Sequence, residues 1–163
     1  RATVMRDFFD ILRKYELYSE DNHSKSANEY ILNDNLIEFI SLDQPQKIRG
    51  RKRDLLFINE ANELTYEDWQ QLVFRTSGRI ILDFNPSDEY SWIYDKVVTR
   101  EDCDYFVTTY KDNPFLDPTI IEEIERLKET DETYWQIYGL GQRGISKATI
   151  STYETTLPYG DVR

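Results

Sequence analysis

The sequence predicts an α/β fold, in which helices cover a parallel β-sheet and a β-hairpin precedes that sheet. Segments with strand-like and helix-like patterns alternate from residue 55 onward, as they do where right-handed crossovers connect parallel strands. The run "LLFIN", residues 55–59, is apolar without alternation, which is typical of a parallel strand buried on both faces. A hydrophobic content of 39% in 163 residues is enough for one domain with its own core.

The composition limits the kinds of function to consider. The formal net charge of -11 excludes a surface that binds nucleic acid over its whole extent, so any DNA contact must be local. The single Cys103 excludes a disulfide within the chain. Because the sequence has no long apolar segment and no signal-like leader, we expect a reducing, cytoplasmic setting without a membrane. It opens at Arg1 and stops at Arg163, and we interpret it as part of a longer protein.

The first element is predicted to be an amphipathic helix over residues 2–17. Its apolar stripe, spaced at three and four residues, comprises Val4, Phe8, Ile11, Leu12 and Tyr15. The polar stretch 19–29 predicts a loop. His23 lies in this loop without a nearby Cys or second His, so we expect a solvated side chain rather than a zinc ligand.

A hairpin and a basic cluster come next. Residues 30–42 contain two β-rich runs separated by Asn33, Asp34 and Asn35, which tolerate the positive φ angles of a tight turn. The basic cluster lies within residues 47–53 and consists of Lys47, Arg49, Arg51, Lys52 and Arg53. Two interpretations are open for it: a solvated loop, or a site for the phosphates of a nucleotide or of DNA.

A helix and a second strand follow "LLFIN". Thr65 and Asp68 have the spacing of a capping box for a helix over residues 64–76. The run "RIILDFNP", residues 79–86, predicts a second buried strand. Pro86 ends this strand because proline cannot continue a hydrogen-bonded ladder.

The remaining elements are two helices and a third strand. Ser87 is expected to cap the helix that follows it, and "DYFVTTY", residues 104–110, predicts a third strand. Asp117 followed by Pro118 at the first helical position predicts the start of a helix that continues over residues 119–130. We expect the three tryptophans to pack in the core: Trp69, Trp92 and Trp135.

Polar residues end both predicted central strands. Glu60 and Asn85 fall at the carboxyl ends, where ligands gather in open α/β sheets. A charged group at the end of an apolar strand is costly to bury unpaired, so we expect Glu60 to face a wet crevice. A Walker B strand of a P-loop ATPase has four apolar residues, then a polar residue, then a glutamate. The polar residue orders the magnesium shell, and the glutamate polarises the attacking water.

Four segments in order resemble the large terminase subunit of tailed bacteriophages. They are "FINEANELTYEDWQQL", "RIILDFNPSDEYSWIYD", "TTYKDNPFLDPTIIEEIERLK" and "YWQIYGLGQRG". The resemblance covers roughly residues 30–144. It implies a P-loop NTPase-like domain in which these segments are the Walker B strand, a coupling strand, a loop, and a helix that leads through "GLG" toward a nuclease domain.

The resemblance implies an ATP-driven motor that threads viral DNA into a preformed capsid and cuts it with a separate nuclease. The implied cofactors are ATP and Mg²⁺. The implied partners are double-stranded viral DNA, the portal protein, the small terminase subunit and further copies in a pentameric ring, in the host cytoplasm. Residues 1–144 then form the C-terminal portion of the ATPase domain, and residues 145–163 the linker and start of the nuclease domain.

The resemblance also assigns roles to individual residues. Glu60 matches the catalytic glutamate, Asn59 the magnesium-associated position, and Asn85 a sensor of the γ-phosphate. Many relatives have an acid where this chain has Asn59. A carboxamide acts on the metal through a bound water equally well, so the match does not imply direct contact between Asn59 and the metal. Arg75 and Arg79 flank the turn before the coupling strand, either as solvated residues or as charges that reach a neighbour's ATP.

Two features of the implied enzyme are missing from the sequence. It contains no G-x-x-x-x-G-K-[ST], so the phosphate-binding strand and loop are expected upstream of Arg1. It also stops before a cluster of acids could hold the two metals of a nuclease. We therefore expect the segment alone to be inactive. Two other interpretations stay open: a different P-loop ATPase, such as a helicase-like motor, and a non-enzymatic adaptor that retains the fold.

Overall fold

The computed structural model describes residues 2–41, 51–86 and 91–144. These residues form two compact units, the first drawn from 2–85 and 91–105 and the second from 86 and 106–144. The predicted cap at Ser87, the basic residues Lys47 and Arg49, and the predicted linker 145–163 lie outside the described residues. The boundary at residue 144 stays a prediction.

The first unit begins with a helix and a small antiparallel sheet. Helix α1, Ala2–Lys14, confirms the predicted first helix. Strands β1 (His23–Ser24), β2 (Glu29–Leu32) and β3 (Asn35–Glu38) pair in that order. The hairpin between β2 and β3 is also confirmed, and Asn33 and Asp34 have φ angles of 48° and 61° as its turn requires.

This small sheet and α1 share an aromatic core that matches the predicted stripe only in part. Phe9, Leu12 and Tyr30 are buried, whereas Ile11 and Tyr15 are exposed. Residues 8 and 9 are both phenylalanine, so a periodic pattern fits with either one facing inward. Leu12 and the half-buried Phe8 belong both to this core and to the predicted stripe, so the stripe is confirmed only in part.

The histidine expected to be solvated is packed instead. The ring of His23 stacks on Phe9 with centroids 4.1 Å apart, and its Nδ1 lies 2.9 Å from the Tyr18 hydroxyl. Its backbone belongs to β1, which pairs with β2. The prediction of a solvated loop histidine is wrong, because strand pairing turns this ring onto α1.

A β–α–β unit follows. Strand β4 (Arg53–Ile58) pairs in parallel with β5 (Thr76–Leu82), and helix α2 (Tyr66–Val73) connects them. The Thr65 side chain caps α2 by accepting a hydrogen bond from the N–H of Asp68 at 3.1 Å. The predicted strand, helix and cap are therefore confirmed, but β5 begins three residues before the predicted 79 and ends at residue 82 rather than 86.

The prediction that β4 is buried on both faces is wrong. Alternate residues of β4 and β5 pack on one core, together with α2 and the helical residues 92–98. The residues of the opposite face are exposed, with Leu55 at 60%, Phe57 at 52% and Ile81 at 47%. The described helices in this core all pack on one face of the two-stranded sheet. The other face is exposed among the described residues.

The core of this unit contains two of the three tryptophans. Trp69 is buried and contacts the half-buried Trp92, with ring centroids 5.4 Å apart. The indole N–H of Trp92 donates to the carbonyl of Leu64 at 2.8 Å. Helical residues 92–93 continue as a π-helical segment, Tyr94–Val98. The packing predicted for these aromatic residues is confirmed.

The predicted third strand is absent from the structure. Residues 103–109 form no strand, and a short 3₁₀ turn, Tyr110–Asp112, follows them. Phe106 is 82% exposed. A run rich in β-forming residues becomes a strand only when another strand offers a ladder, and none of the described strands pairs with this one.

The second unit is mainly helical. Helix α3 (Pro118–Thr130) has Asp117 as its N-cap, as predicted, with the carboxylate accepting from the N–H of Thr119 at 2.8 Å. A single turn, α4 (Glu132–Tyr134), continues as the π-helical segment Trp135–Gly139. Trp135 is buried, as predicted for the third tryptophan.

The described residues thus have a mixed α/β fold with a three-stranded antiparallel sheet and a two-stranded parallel sheet.

Candidate functional site

The polar residues that follow β4 and β5 meet at one edge of the parallel sheet. The two strands end at Ile58 and Leu82, which are register partners. Parallel neighbours place their carboxyl ends side by side. We refer to the residues just beyond these ends as the strand-end site, which comprises Asn59, Glu60, Asn62, Asp83 and Asn85.

Backbone hydrogen bonds continue beyond the last paired residues. The N–H of Asp83 donates to the carbonyl of Ile58 at 3.0 Å, and the N–H of Ala61 donates to the carbonyl of Asp83 at 2.8 Å. Two side chains add to this. The Asp83 carboxylate accepts from the N–H of Glu60 at 2.8 Å, and the Asn62 carbonyl oxygen accepts from the N–H of Asn85 at 3.3 Å. The two turns are therefore bonded to each other at four points.

Glu60 occupies a backbone conformation that is uncommon for a residue with a side chain. Its φ is 55° and its ψ is 52°, in the left-handed helical region. Such a conformation costs roughly 1–2 kcal/mol for a residue other than glycine. It turns the chain from β4 into the 3₁₀ turn Ala61–Glu63, where Ala61 is fully buried. The surrounding hydrogen bonds and this buried residue hold the turn in place.

The side chains of the site are accessible to water and ligands. Asn59, Glu60, Asp83 and Asn85 are exposed, and Asn62 is half-buried. The sequence pattern placed Glu60 and Asn85 together at the end of the sheet, and the structure brings both to the same edge. Asp83 was missed, although it follows "RIIL" directly, just as Asn59 follows the apolar run of β4.

Arg75 lies away from this site within the chain. It precedes β5, whose seven residues separate it from Asp83 and Asn85. Seven strand residues span about 20 Å. Its guanidinium donates to the carbonyl and to the side-chain oxygen of Gln71, both at 2.9 Å. The structure therefore does not bring Arg75 to Glu60, and a contact with a neighbouring subunit's nucleotide stays a prediction. Arg79 lies within β5 and is exposed.

The described part of the basic cluster lies at the opposite end of β4. Arg51 pairs with the carboxylate of Glu29 at 3.0 Å and lies 3.9 Å from that of Glu38. Burial lowers the pKa of Arg53, an effect that Glu38 opposes and the positive charge of Arg75 reinforces. Acidic residues of the small sheet thus neutralise part of the cluster.

The strand-end site offers oxygen donors of the kind that bind hard cations such as Mg²⁺. Among the described residues, no group of three or more His, Cys, Asp or Glu side chains is arranged to hold a metal. The site offers two carboxylates and three carboxamides, which are oxygen donors. Mg²⁺ prefers oxygen ligands, keeps several waters and needs only one or two carboxylates when phosphates complete its shell. The residues therefore fit a shared ion rather than a closed protein cage.

No helix among residues 2–41, 51–86 and 91–144 has both the length and the apolar character needed to cross a bilayer.

A family model described as phage terminase large subunit matches residues 1–142. The chain belongs to the phage terminase large subunit family. A curated relative, the PBSX phage terminase large subunit of Bacillus subtilis (strain 168), is 23% identical over 158 residues. That alignment covers 80% of this terminase chain and 36% of the relative, so the chain spans about a third of the relative's length.

The family resemblance seen in the sequence motifs is thereby confirmed. The span matched by the terminase family model, residues 1–142, contains the whole strand-end site as well as Arg75 and Arg79.

Proposed function

We propose that this terminase chain is part of an ATP-driven motor that moves viral DNA into the procapsid, and that Glu60 polarises the water that attacks ATP. One observation carries this proposal. In a terminase family member, a glutamate and an asparagine stand at the carboxyl ends of two adjacent parallel strands, joined by direct hydrogen bonds between their turns. This is where α/β sheets bind ligands.

The chemistry follows from the accessibility of the carboxylate. Phosphoryl transfer depends on positioning and charge stabilisation more than on covalent participation by the protein. The Glu60 side chain is exposed, so its carboxylate accepts a hydrogen bond from the attacking water and takes up its proton. The backbone on either side of Glu60 is fixed by the bonds to Asp83, which orients that carboxylate before the reaction.

Asn59 and Asn85 have separate tasks in this proposal. When bound, Mg²⁺ neutralises negative charge on the phosphates. The Asn59 carboxamide would hold the ion through its hydration shell, because a carbonyl oxygen accepts hydrogen bonds as a carboxylate does. The Asn85 carboxamide contacts the γ-phosphate. Its backbone N–H donates a hydrogen bond to the side chain of Asn62, on the turn after β4. Loss of the phosphate would therefore affect the conformation of both turns.

The P-loop NTPase fold, its phosphate-cradling loop and the nuclease belong to the intact protein in this proposal. The sequence has no G-x-x-x-x-G-K-[ST] among its 163 residues, so another part of the protein supplies the loop. The motor acts in the host cytoplasm as a pentameric ring on the portal, with double-stranded DNA and the small terminase subunit as further partners. The acidic chain contacts DNA only locally, because its formal net charge is -11.

The test is Glu60→Gln in the intact protein. Loss of the base should lower ATP turnover by about 10²–10⁴-fold, while the affinity for ATP, measured by equilibrium binding, stays within a few-fold of the original. Glu63→Gln is the matched control, since Glu63 is an exposed carboxylate in the 3₁₀ turn that follows Glu60. Unchanged turnover in Glu60→Gln would rule out the assignment.

The same experiments separate the two other interpretations. An intact wild-type protein that binds procapsids without hydrolysing ATP would be an adaptor, in keeping with the neutral Asn59. A protein that hydrolyses ATP and separates DNA strands, but does not fill procapsids, would be a helicase-like motor. DNA packaging that depends on ATP and is lost in Glu60→Gln supports the terminase motor.

A further inference from the structure

We propose that Asp83 is a positioning residue, which acts by holding the backbone of Glu60 in its left-handed conformation. The inference rests on the proposed role of Glu60 in ATP hydrolysis. It concerns a carboxylate that lies just beyond the end of the neighbouring strand β5, 23 positions along the chain. Asp83 contributes by fixing the direction in which Glu60 projects, without itself touching the reacting atoms.

Three hydrogen bonds connect Asp83 with the last residue of β4 and the turn that follows it. Its N–H donates to the carbonyl of Ile58, and its carbonyl accepts from the N–H of Ala61. Its carboxylate Oδ1 accepts from the N–H of Glu60 at 2.8 Å. The first two bonds use main-chain atoms and are retained when Asp83 is replaced by any residue other than proline. The third alone depends on the side chain, and it alone reaches Glu60.

The conformation of Glu60 explains why this third bond matters. With φ at 55° and ψ at 52°, Glu60 is in a region that residues with a Cβ atom rarely adopt. In an extended conformation the side chain would continue the alternation of β4 and point to one face of the sheet. The bond from Asp83 favours the left-handed conformer, and so keeps the carboxylate in one direction at the end of the strand.

The interaction requires an acceptor oxygen and does not require a charge. Asp83 is exposed, and its described hydrogen bond is to a neutral backbone N–H. An asparagine side chain has a carbonyl oxygen in the same place and accepts the same bond. A proton-accepting role would need the ionised carboxylate, which asparagine lacks. Asp83→Asn and Asp83→Ala therefore distinguish a positioning role from direct participation in the chemistry.

The experiment measures steady-state ATP hydrolysis by the intact protein carrying Asp83→Ala, Asp83→Asn or Asp54→Ala. We expect Asp83→Ala to lower kcat at least tenfold with KM for ATP within about twofold, and Asp83→Asn to keep at least a third of kcat. Asp54→Ala is the matched control. Asp54 also bridges β4 and β5, through a 3.0 Å contact with the Ser77 hydroxyl near their amino ends, and its loss should leave kcat within twofold.

Amide hydrogen exchange gives a readout that is independent of activity. A peptide covering residues 57–64 should exchange faster in Asp83→Ala than in wild type, and at the wild-type rate in Asp83→Asn. Should Asp83→Ala not fold, Asp83→Ser replaces it, because the shorter hydroxyl side chain cannot place an oxygen where Oδ1 lies. An equal loss of kcat in Asp83→Asn and Asp83→Ala, or wild-type kcat in Asp83→Ala, would overturn the inference.

Glu60→Gln, assayed in parallel, separates this inference from the proposed function. If Glu60→Gln abolishes turnover while Asp83→Ala retains it, the function stands and the positioning role of Asp83 falls. If Glu60→Gln retains turnover, the proposed function fails, and the inference fails with it. Loss of turnover in Glu60→Gln, together with a loss in Asp83→Ala that Asp83→Asn restores, supports both.

Discussion

Gly78 on β5 lies directly against the backbone of Asp54 on β4. A Cβ atom added at Gly78 would lie 2.1 Å from the carbonyl oxygen of Asp54. The register of the two strands shifts at this point: Arg53 pairs with Thr76, but Leu55 pairs with Arg79. Two residues of β5 therefore oppose one residue of β4, which is the arrangement of a β-bulge. The bulge sets the register that later brings Asp83 beside Glu60.

Gly78→Ala should destabilise the first unit, because the contact is with backbone and cannot be relieved by a side-chain rotation. Overpacking of this kind costs about 1–3 kcal/mol, measured as the free energy of unfolding in urea. Ser77→Ala is the control, since it removes the contacts of the Ser77 hydroxyl with the Arg53 carbonyl and the Asp54 carboxylate without adding bulk. A Gly78→Ala protein as stable as wild type would contradict the tight approach.

The raised pKa of Tyr110 predicts that the folded protein loses stability at high pH. The hydrogen bond between its hydroxyl and the Glu125 carboxylate, with partial desolvation and the negative charge of Glu125, raises the pKa of Tyr110 from 10.0 to about 12. A raised folded-state pKa stabilises the fold below pH 10, where both states are protonated. That contribution disappears as the pH rises from 10 to 12, because the unfolded state loses the proton first.

The measurement is urea unfolding at pH 9 and pH 11 of wild type and Tyr110→Phe. Wild type should lose more stability between the two pH values than Tyr110→Phe, which has no phenol to ionise at this position. Tyr138→Phe is the control, because Tyr138 is an exposed residue of the same unit and its replacement should leave the pH dependence unchanged. An identical pH dependence in Tyr110→Phe would refute the assigned interaction.

Asn59 allows the proposed magnesium contact to be tested by adding charge. Asn59→Asp retains an acceptor oxygen and adds one negative charge. In the intact protein it should lower the Mg²⁺ concentration needed for half-maximal ATP turnover several-fold. Asn59→Leu keeps a similar size without an acceptor and should raise that concentration. If both variants respond to Mg²⁺ as wild type does, Asn59 has no part in holding the ion.

Local signals in the sequence predicted the elements that depend on neighbouring residues. The turn at Asn33 and Asp34 and the start of α3 at Asp117 use chemistry contained within four residues, and each was found where expected. Helix α2 was also predicted correctly, because the Thr65 side chain accepts a hydrogen bond from the N–H of Asp68 in the first turn of the helix. Short-range hydrogen bonds of this kind are readable from a single sequence.

Features that depend on distant pairing were not predictable in the same way. Residues 104–110 have strand-forming side chains, but strand formation requires a partner that composition does not specify. The role of Asp83 depends on the register between β4 and β5, which the bulge at Gly78 sets. The packing of His23 was missed for the same reason. Its contact with Phe9 arises only once the small sheet packs on α1. Glu60 and Asn85 could be predicted as part of the site because both follow the carboxyl ends of parallel strands, where α/β sheets bind ligands.

The basic cluster gives the last prediction, which decides between a solvated loop and a phosphate site. Replacing Arg51, Lys52 and Arg53 together with alanine should lower DNA-stimulated ATP turnover in the intact protein several-fold at low salt, and should weaken its dependence on salt concentration, because fewer phosphates are neutralised. Arg51→Ala alone should have little effect, since Glu29 already pairs with that guanidinium at 3.0 Å and exposed pairs contribute at most about 1 kcal/mol. Arg100→Ala serves as the control for removal of a paired surface arginine, because Arg100 is bonded to Asp102. Unchanged stimulation by DNA in the triple variant would rule out a phosphate site in the cluster.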